Sequence, residues 1–219
     1  MSSTDLTGSD SPTSKRWIVV ALAVFYPLVL FGGAALKAEY SHLSQYISEL
    51  NATGSAWSWQ IGFLGFLPLG FLGAVLLLVV APRAGLQGIS KIGCWLLIAE
   101  PITYIGSAFA PCDLGCPSTG SLSQNVHNIL SVVTLPITTL GLVFLSCNSR
   151  LILVQRVGWL VLAASFITLY MVALVPDVAH WRGLLQRLAE GVLYGCLCII
   201  SWKLLAGCRR ATELHEESD

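Results

Sequence analysis

Six long apolar runs dominate this chain: Trp17–Leu36, Trp57–Val80, Gly88–Ala110, Val126–Cys147, Val154–Val175 and Arg187–Ala206. Each holds about 20 residues or slightly more, enough for a helix to cross a hydrocarbon core of about 30 Å. Lipid offers no partner to a backbone N–H or C=O, so a crossing run closes its hydrogen bonds within a helix. The expected fold is therefore all-α, an integral membrane protein built as an antiparallel bundle of six transmembrane helices. Composition agrees: an ordinary soluble domain is about 25% charged, whereas only 11% of these 219 residues are charged and 55% are hydrophobic. Zero net charge and the lack of a basic block argue against a nucleic-acid partner.

Residues 1–14 are rich in Ser, Thr and Asp and read as a disordered tail. The membrane domain is expected over 15–206, followed by a short charged tail over 207–219. A cleaved signal peptide is the alternative reading of the first run, but an h-region is usually only about 7–15 residues. Basic residues alternate from side to side. Lys15, Arg16, Arg83, Lys91, Arg150, Arg156, Lys203, Arg209 and Arg210 fall on one side, against Lys37, Arg182 and Arg187 on the other. The positive-inside rule then predicts cytoplasmic N- and C-termini, with location in the cell membrane. The loops Lys37–Ala56, Pro111–Asn125 and Pro176–Gln186 are expected outside, and they carry the reactive side chains.

Polar residues within the apolar runs fall on helical faces. Glu100, Thr103, Tyr104 and Ser107 share one face by their spacing, as do Gln124, His127, Asn128 and Ser131, and as do Arg187, Glu190 and Tyr194. Three stripes at a common depth predict a polar chamber that opens outward. Arg187 and Glu190 are spaced to pair with each other. Gly62, Gly65, Gly70 and Gly73, together with Gly191 and Gly195, read as sites of close helix approach. His42 lies in a segment expected to form an amphipathic helix, with Leu43, Tyr46, Ile47 and Leu50 on its apolar face. Among seven cysteines, Cys112 and Cys116 stand apart in an outward loop. An oxidising compartment favours a disulfide between them; a zinc site made with His127 is the alternative.

Three segments stand together: Tyr40-Ser41-His42-Leu43-Ser44-Gln45-Tyr46-Ile47-Ser48-Glu49-Leu50, Pro111-Cys112-Asp113-Leu114-Gly115-Cys116-Pro117, and Gly183-Leu184-Leu185-Gln186-Arg187. In these the chain resembles the prokaryotic six-helix membrane family catalogued as domain of unknown function 998, over roughly Lys15 to Ala206. The resemblance implies the same fold and draws attention to Ser48, Glu49, Cys112, Asp113, Cys116, His127, Gln186 and Arg187. It brings no assigned activity.

Three kinds of function fit these residues. A membrane-embedded hydrolase acting on a lipid or amphiphile would use His127, Asp113 and Glu49 for catalysis, with or without a divalent metal. Arg187, Glu190, Tyr194, Glu100, Tyr104, Asn128, Ser48 and Gln186 would then bind the ligand or its head group. A small transporter or ligand-binding protein would use Glu100 as an intramembrane proton or cation site. A non-catalytic scaffold would let the stripes satisfy one another. Expected partners are the bilayer and either a second copy of the chain or another membrane protein.

Overall fold

The computed structural model describes residues 15–216, with side chains as far as Ala206. Six helices are long and apolar enough to cross a membrane: α1 (Arg16–Ala35), α2 (Ser58–Arg83), α3 (Ile89–Phe109), α4 (Leu122–Ser146), α5 (Leu153–Ala173) and α6 (Pro176–Ala206). No strand occurs among the described residues. The chain is thus an all-helical, multi-pass membrane protein. The expected tail over 1–14 lies outside the described residues. The backbone of α6 stays helical to Glu216, so the segment read as a charged tail continues the last helix.

Two helices start earlier than hydropathy suggests, and capping explains one of them. Ser121 Oγ accepts from Gln124 N at 3.1 Å, so α4 begins at Leu122 and takes Gln124, His127 and Asn128 into its first turns. A 3-10 turn, Pro176–Trp181, leads into the regular helix at Arg182. Short connections over 84–88 and 147–152 lie at one end of the bundle, with Arg83, Lys91, Arg150 and Arg156 in or beside them. The longer loops over 36–57 and 110–121, with the turn into α6, meet at the other. There Thr53 N donates to Cys112 O at 2.8 Å and Gly183 N donates to Leu43 O at 2.9 Å.

Leu22, Leu30, Phe66, Leu69 and Leu205 centre one buried cluster. Leu97, Leu142, Leu162, Phe166 and Leu193 centre a second. Helix α6 feeds both, through Tyr194 and Leu205 on one side and Ala189 and Leu193 on the other. Phe31, Leu64, Ile129 and Val161 point outward and are more than half exposed, as suits a surface bathed in lipid.

Prolines shape the helices toward the loop-rich end. Pro101 has no N–H for the Leu97 carbonyl, and α3 breaks there into Ile89–Leu96 and Ala99–Phe109. A π-helical segment, Leu28–Gly32, follows Pro27, and another, Ile61–Phe66, ends just before Pro68. The segment around His42 is a series of turns ending in a 3-10 turn, Ile47–Asn51, not the expected amphipathic helix. Its polar groups are met by α6 instead, as described below.

Close helix approach is selective. A Cβ on Gly70 would meet Ile105 and the Pro101 carbonyl at 2.6 Å, so this glycine packs as expected. Gly191 and Gly195 do not, because nothing lies within 4 Å of the Cβ position of either. Another close seam involves a pair not singled out by spacing: a Cβ on Gly93 would meet Gly141 O at 2.6 Å, and one on Gly141 would meet Gly93 O at 2.9 Å. Backbone lies against backbone there, and no side chain can rotate away. Gly93→Leu is therefore expected to destabilise the bundle by about 1–3 kcal/mol, whereas Gly191→Leu should change stability by less than about 0.5 kcal/mol. Thermal unfolding of the purified variants in detergent checks the contrast.

Candidate functional site

A cavity of about 810 Å³ lies among α3, α4, α5 and α6, beneath the loop-rich end. Its floor is polar. Glu190 accepts from Tyr170 Oη at 2.6 Å, from Gln186 Nε2 at 2.9 Å and from the Tyr104 hydroxyl. Three donors thus converge on one buried carboxyl. Glu100 is also buried, and it accepts from Thr138 Oγ1 at 3.1 Å. Its other oxygen has no hydrogen-bond partner among the described residues, and Glu100 lines the cavity. At 1.5 Å per residue, Glu100 lies about 14 Å from the Phe109 end of its helix, near the middle of the apolar layer. Thr103 and Thr134 join their hydroxyls across the α3–α4 seam. Tyr26 and Tyr194 stack below with ring centroids 4.8 Å apart, and their buried hydroxyls have no hydrogen-bond partner among the described residues.

Higher on the wall, His127 places Nδ1 3.1 Å from Ala110 O and 3.5 Å from Ser107 Oγ. A carbonyl only accepts, so Nδ1 carries the proton and the neutral ring keeps Nε2 as an acceptor. Asn128 also lines the cavity, and its Oδ1 accepts from Gln124 Nε2 at 2.8 Å. Cys112 and Cys116 are disulfide-bonded. Ser48 Oγ lies 3.3 Å from Cys116 Sγ, and since a disulfide sulfur has no hydrogen, Ser48 is the donor. The two sulfurs and a His127 nitrogen fall within 4.8 Å of one another. With both sulfurs bonded neither is a thiolate, so the trio offers a metal only the imidazole.

The loop over 36–57 roofs this chamber, and four residues hold it down. Arg187 Nη1 donates to the carbonyls of His42 (3.0 Å), Gln45 (2.9 Å) and Gly183 (2.8 Å), and Nη2 reaches the Tyr40 hydroxyl. Burial is the main reason the Tyr40 phenol is pushed up to about 12. Gln186 Oε1 accepts from Ile47 N at 2.9 Å, which ties the roof to Glu190 through one amide. Lys37 Nζ donates to Glu49 O (2.7 Å), Leu50 O (3.0 Å) and Ser55 Oγ (2.7 Å), serving the carbonyl end of the 3-10 turn. Burial draws the Lys37 pKa below its ordinary value despite the Glu49 charge. Arg182 forms an ion pair with Glu49 at 3.2 Å and lies over the Tyr46 ring at 4.5 Å.

Of the residues singled out from sequence, Glu100, Tyr104, Ser48, His127, Asn128, Gln186 and Glu190 line the cavity. Glu49, Asp113, Arg187 and Tyr194 do not. Glu49 serves its own loop: it accepts from Tyr46 N (2.9 Å), Gln45 Nε2 (3.1 Å) and Arg182. Asp113 closes the disulfide loop by accepting from Ser121 N (2.8 Å) and Ser121 Oγ (2.7 Å). Those bonds, the backbone one foremost, hold its carboxyl below the usual range. The expected Arg187–Glu190 pair is not formed, because the roof carbonyls claim the guanidinium. Two contributors were not anticipated, Tyr170 and Thr138. Tyr170 is a single phenol in a run without a polar stripe, and Thr138 lies four residues beyond Thr134 on the same face of α4.

The family model described as a protein of unknown function, DUF998, matches residues 19–203. The chain belongs to that family. No curated protein and no solved structure matches it. The DUF998 match spans every cavity-lining residue and the loops that roof them.

Two predictions follow from the roof. Arg187→Lys, which cannot bridge four acceptors from one planar group, should cost about 1.5–3 kcal/mol and hasten proteolysis within residues 36–57. Unfolding and limited digestion measure both. His42 lies outside the membrane spans, and burial, then the Arg187 charge, holds its pKa below the ordinary value. The unfolded chain therefore binds that proton more readily, so stability is full above about pH 6.5 and declines as pH falls toward the folded pKa. The unfolding temperature of native protein should drop more steeply from pH 7 to pH 5.5 than that of His42→Gln.

Proposed function

We propose that this DUF998 protein is a ligand-binding membrane protein that takes a cationic solute into its chamber, with Glu100 as the intramembrane cation site. The loop-rich end, on this reading, faces the extracytoplasmic side, as the distribution of basic residues favours. The observation that carries the proposal is the division between two buried carboxyls. Glu190 is saturated by three donors, whereas Glu100 keeps an oxygen open to the cavity. Two carboxyl groups in one low-dielectric interior repel each other once both are ionised, and an arriving cation relieves that repulsion. The lining cation, Arg182, is already paired with Glu49 and so repels a positive ligand less. The hydrolase reading lacks comparable support, since Glu49 and Asp113 are engaged in their own loops and do not share the cavity with His127.

The test uses purified full-length protein and butylamine, which is protonated at neutral pH. Butylamine should raise the unfolding temperature saturably, and Glu100→Gln should weaken its apparent affinity at least tenfold. The Gln variant keeps an amide oxygen for Thr138, so it should fold. Absence of a saturable shift in the native protein, or an unchanged affinity in Glu100→Gln, overturns the proposal.

A further inference from the structure

The cavity does not open only at the loop-rich end. Val132 is 69% exposed, Leu174 61% and Met171 45%, yet all three also line the chamber, as do the exposed Ser131 and Pro136. On α4 these residues lie about 14–21 Å from Leu122, counted at 1.5 Å per residue, so the exposed lining runs down the side of the bundle to mid-membrane depth. The same two helices close together farther along, where Leu142 and Leu145 of α4 and Leu162 and Phe166 of α5 share one buried cluster. The opening is therefore a lateral slot between the outer halves of α4 and α5, facing the hydrocarbon layer.

The slot and chamber present acceptors. Pro136 has no N–H to give the Val132 carbonyl, so that oxygen is released at the slot wall. Glu100 has one unpartnered oxygen, and the His127 tautomer leaves Nε2 free. Val132, Leu135, Ile167, Met171 and Leu174 supply the apolar remainder. A volume of about 810 Å³ is in the range of a single drug-sized molecule. We infer that the occupant is a single-chain alkyl amine that enters from the bilayer between α4 and α5, seats its ammonium at Glu100 and leaves its chain in the slot. This rests on the cation-binding reading above and adds the ligand's class and its route. An anionic head would meet two carboxyls, and a polar solute without a chain would leave the apolar slot unfilled.

Photolabelling tests the inference on full-length protein in phosphatidylcholine nanodiscs. The probe is dodecylamine carrying a diazirine near its terminal methyl, with the matching dodecanol and dodecyl sulfate probes as comparisons. The amine should label residues 131–136 and 167–174 at least tenfold more than other lipid-facing positions. Glu100→Gln should reduce that labelling at least tenfold, and the alcohol and sulfate should label the slot at least tenfold less. Val132→Trp should reduce slot labelling at least tenfold, and a ligand-free unfolding temperature within a few degrees of the native protein's shows that the variant is folded. Equal labelling around the belt, or equal slot labelling by the alcohol, overturns the inference. If butylamine still binds through Glu100 when that happens, only the ligand class and route fail. If butylamine binding is also absent, the cation-site reading fails with them.

Discussion

Everything in this bundle answers to one constraint: a polar group at membrane depth must find its partner inside the protein. Glu190 shows how the sequence meets it. Its donors come from α3, α5 and one turn earlier on α6, so a single carboxyl fixes the relative positions of three helices. Hydrogen bonds to a buried charged or chargeable group are among the stronger ones available, and losing a donor exposes the full cost of burying the acceptor. The Thr103–Thr134 and Thr138–Glu100 contacts then bring α4 to α3. Apolar packing fills the rest, but in lipid it discriminates poorly between one helix neighbour and another. The polar contacts choose the neighbours.

The same logic extends to the loops. A segment of turns over 36–57 carries backbone groups that have no regular partner, and it must be covered to roof a cavity. Arg187, Lys37 and Gln186 supply that cover by meeting carbonyls and N–H groups of the loop directly. Gln186 matters most for coupling, because the amide that holds Ile47 N also donates to Glu190. Roof and floor are therefore joined through one side chain, and a disturbance at either is felt at the other.

Helix number, helix depth and the polar faces of α3 and α4 were legible because both signals are local. A run of about 20 apolar residues can be counted, and residues three and four apart share a face wherever the helix goes. What was hidden depends on the third dimension. Arg187 stands three residues before Glu190, and that spacing suggested a pair; it could not show a returning loop with two carbonyls and the Tyr40 hydroxyl in reach. Glu49 and Asp113 looked like catalytic carboxylates because they stand in the long polar loops, but turns in such loops need acceptors of their own. Gly93 and Gly141 are isolated glycines in separate helices, and their contact appears only once α3 and α4 are side by side. Gly191 and Gly195 carry the more suggestive spacing and pack against nothing.

The cavity itself resists explanation as a packing defect. Lipid-exposed bundles fill space easily with leucine and phenylalanine, and an unfilled space forfeits the dispersion contacts its lining would otherwise make. Here the space is bounded by groups that apolar filling would strand: an open Glu100 oxygen, a histidine held in one tautomer, and a carbonyl released by Pro136. A larger side chain at Ser131 or Thr134 would close the chamber and leave those acceptors without water or ligand. Each would then incur the desolvation cost that the rest of the bundle is arranged to avoid. The polar lining and the empty volume are thus one design, because removing either makes the other unfavourable.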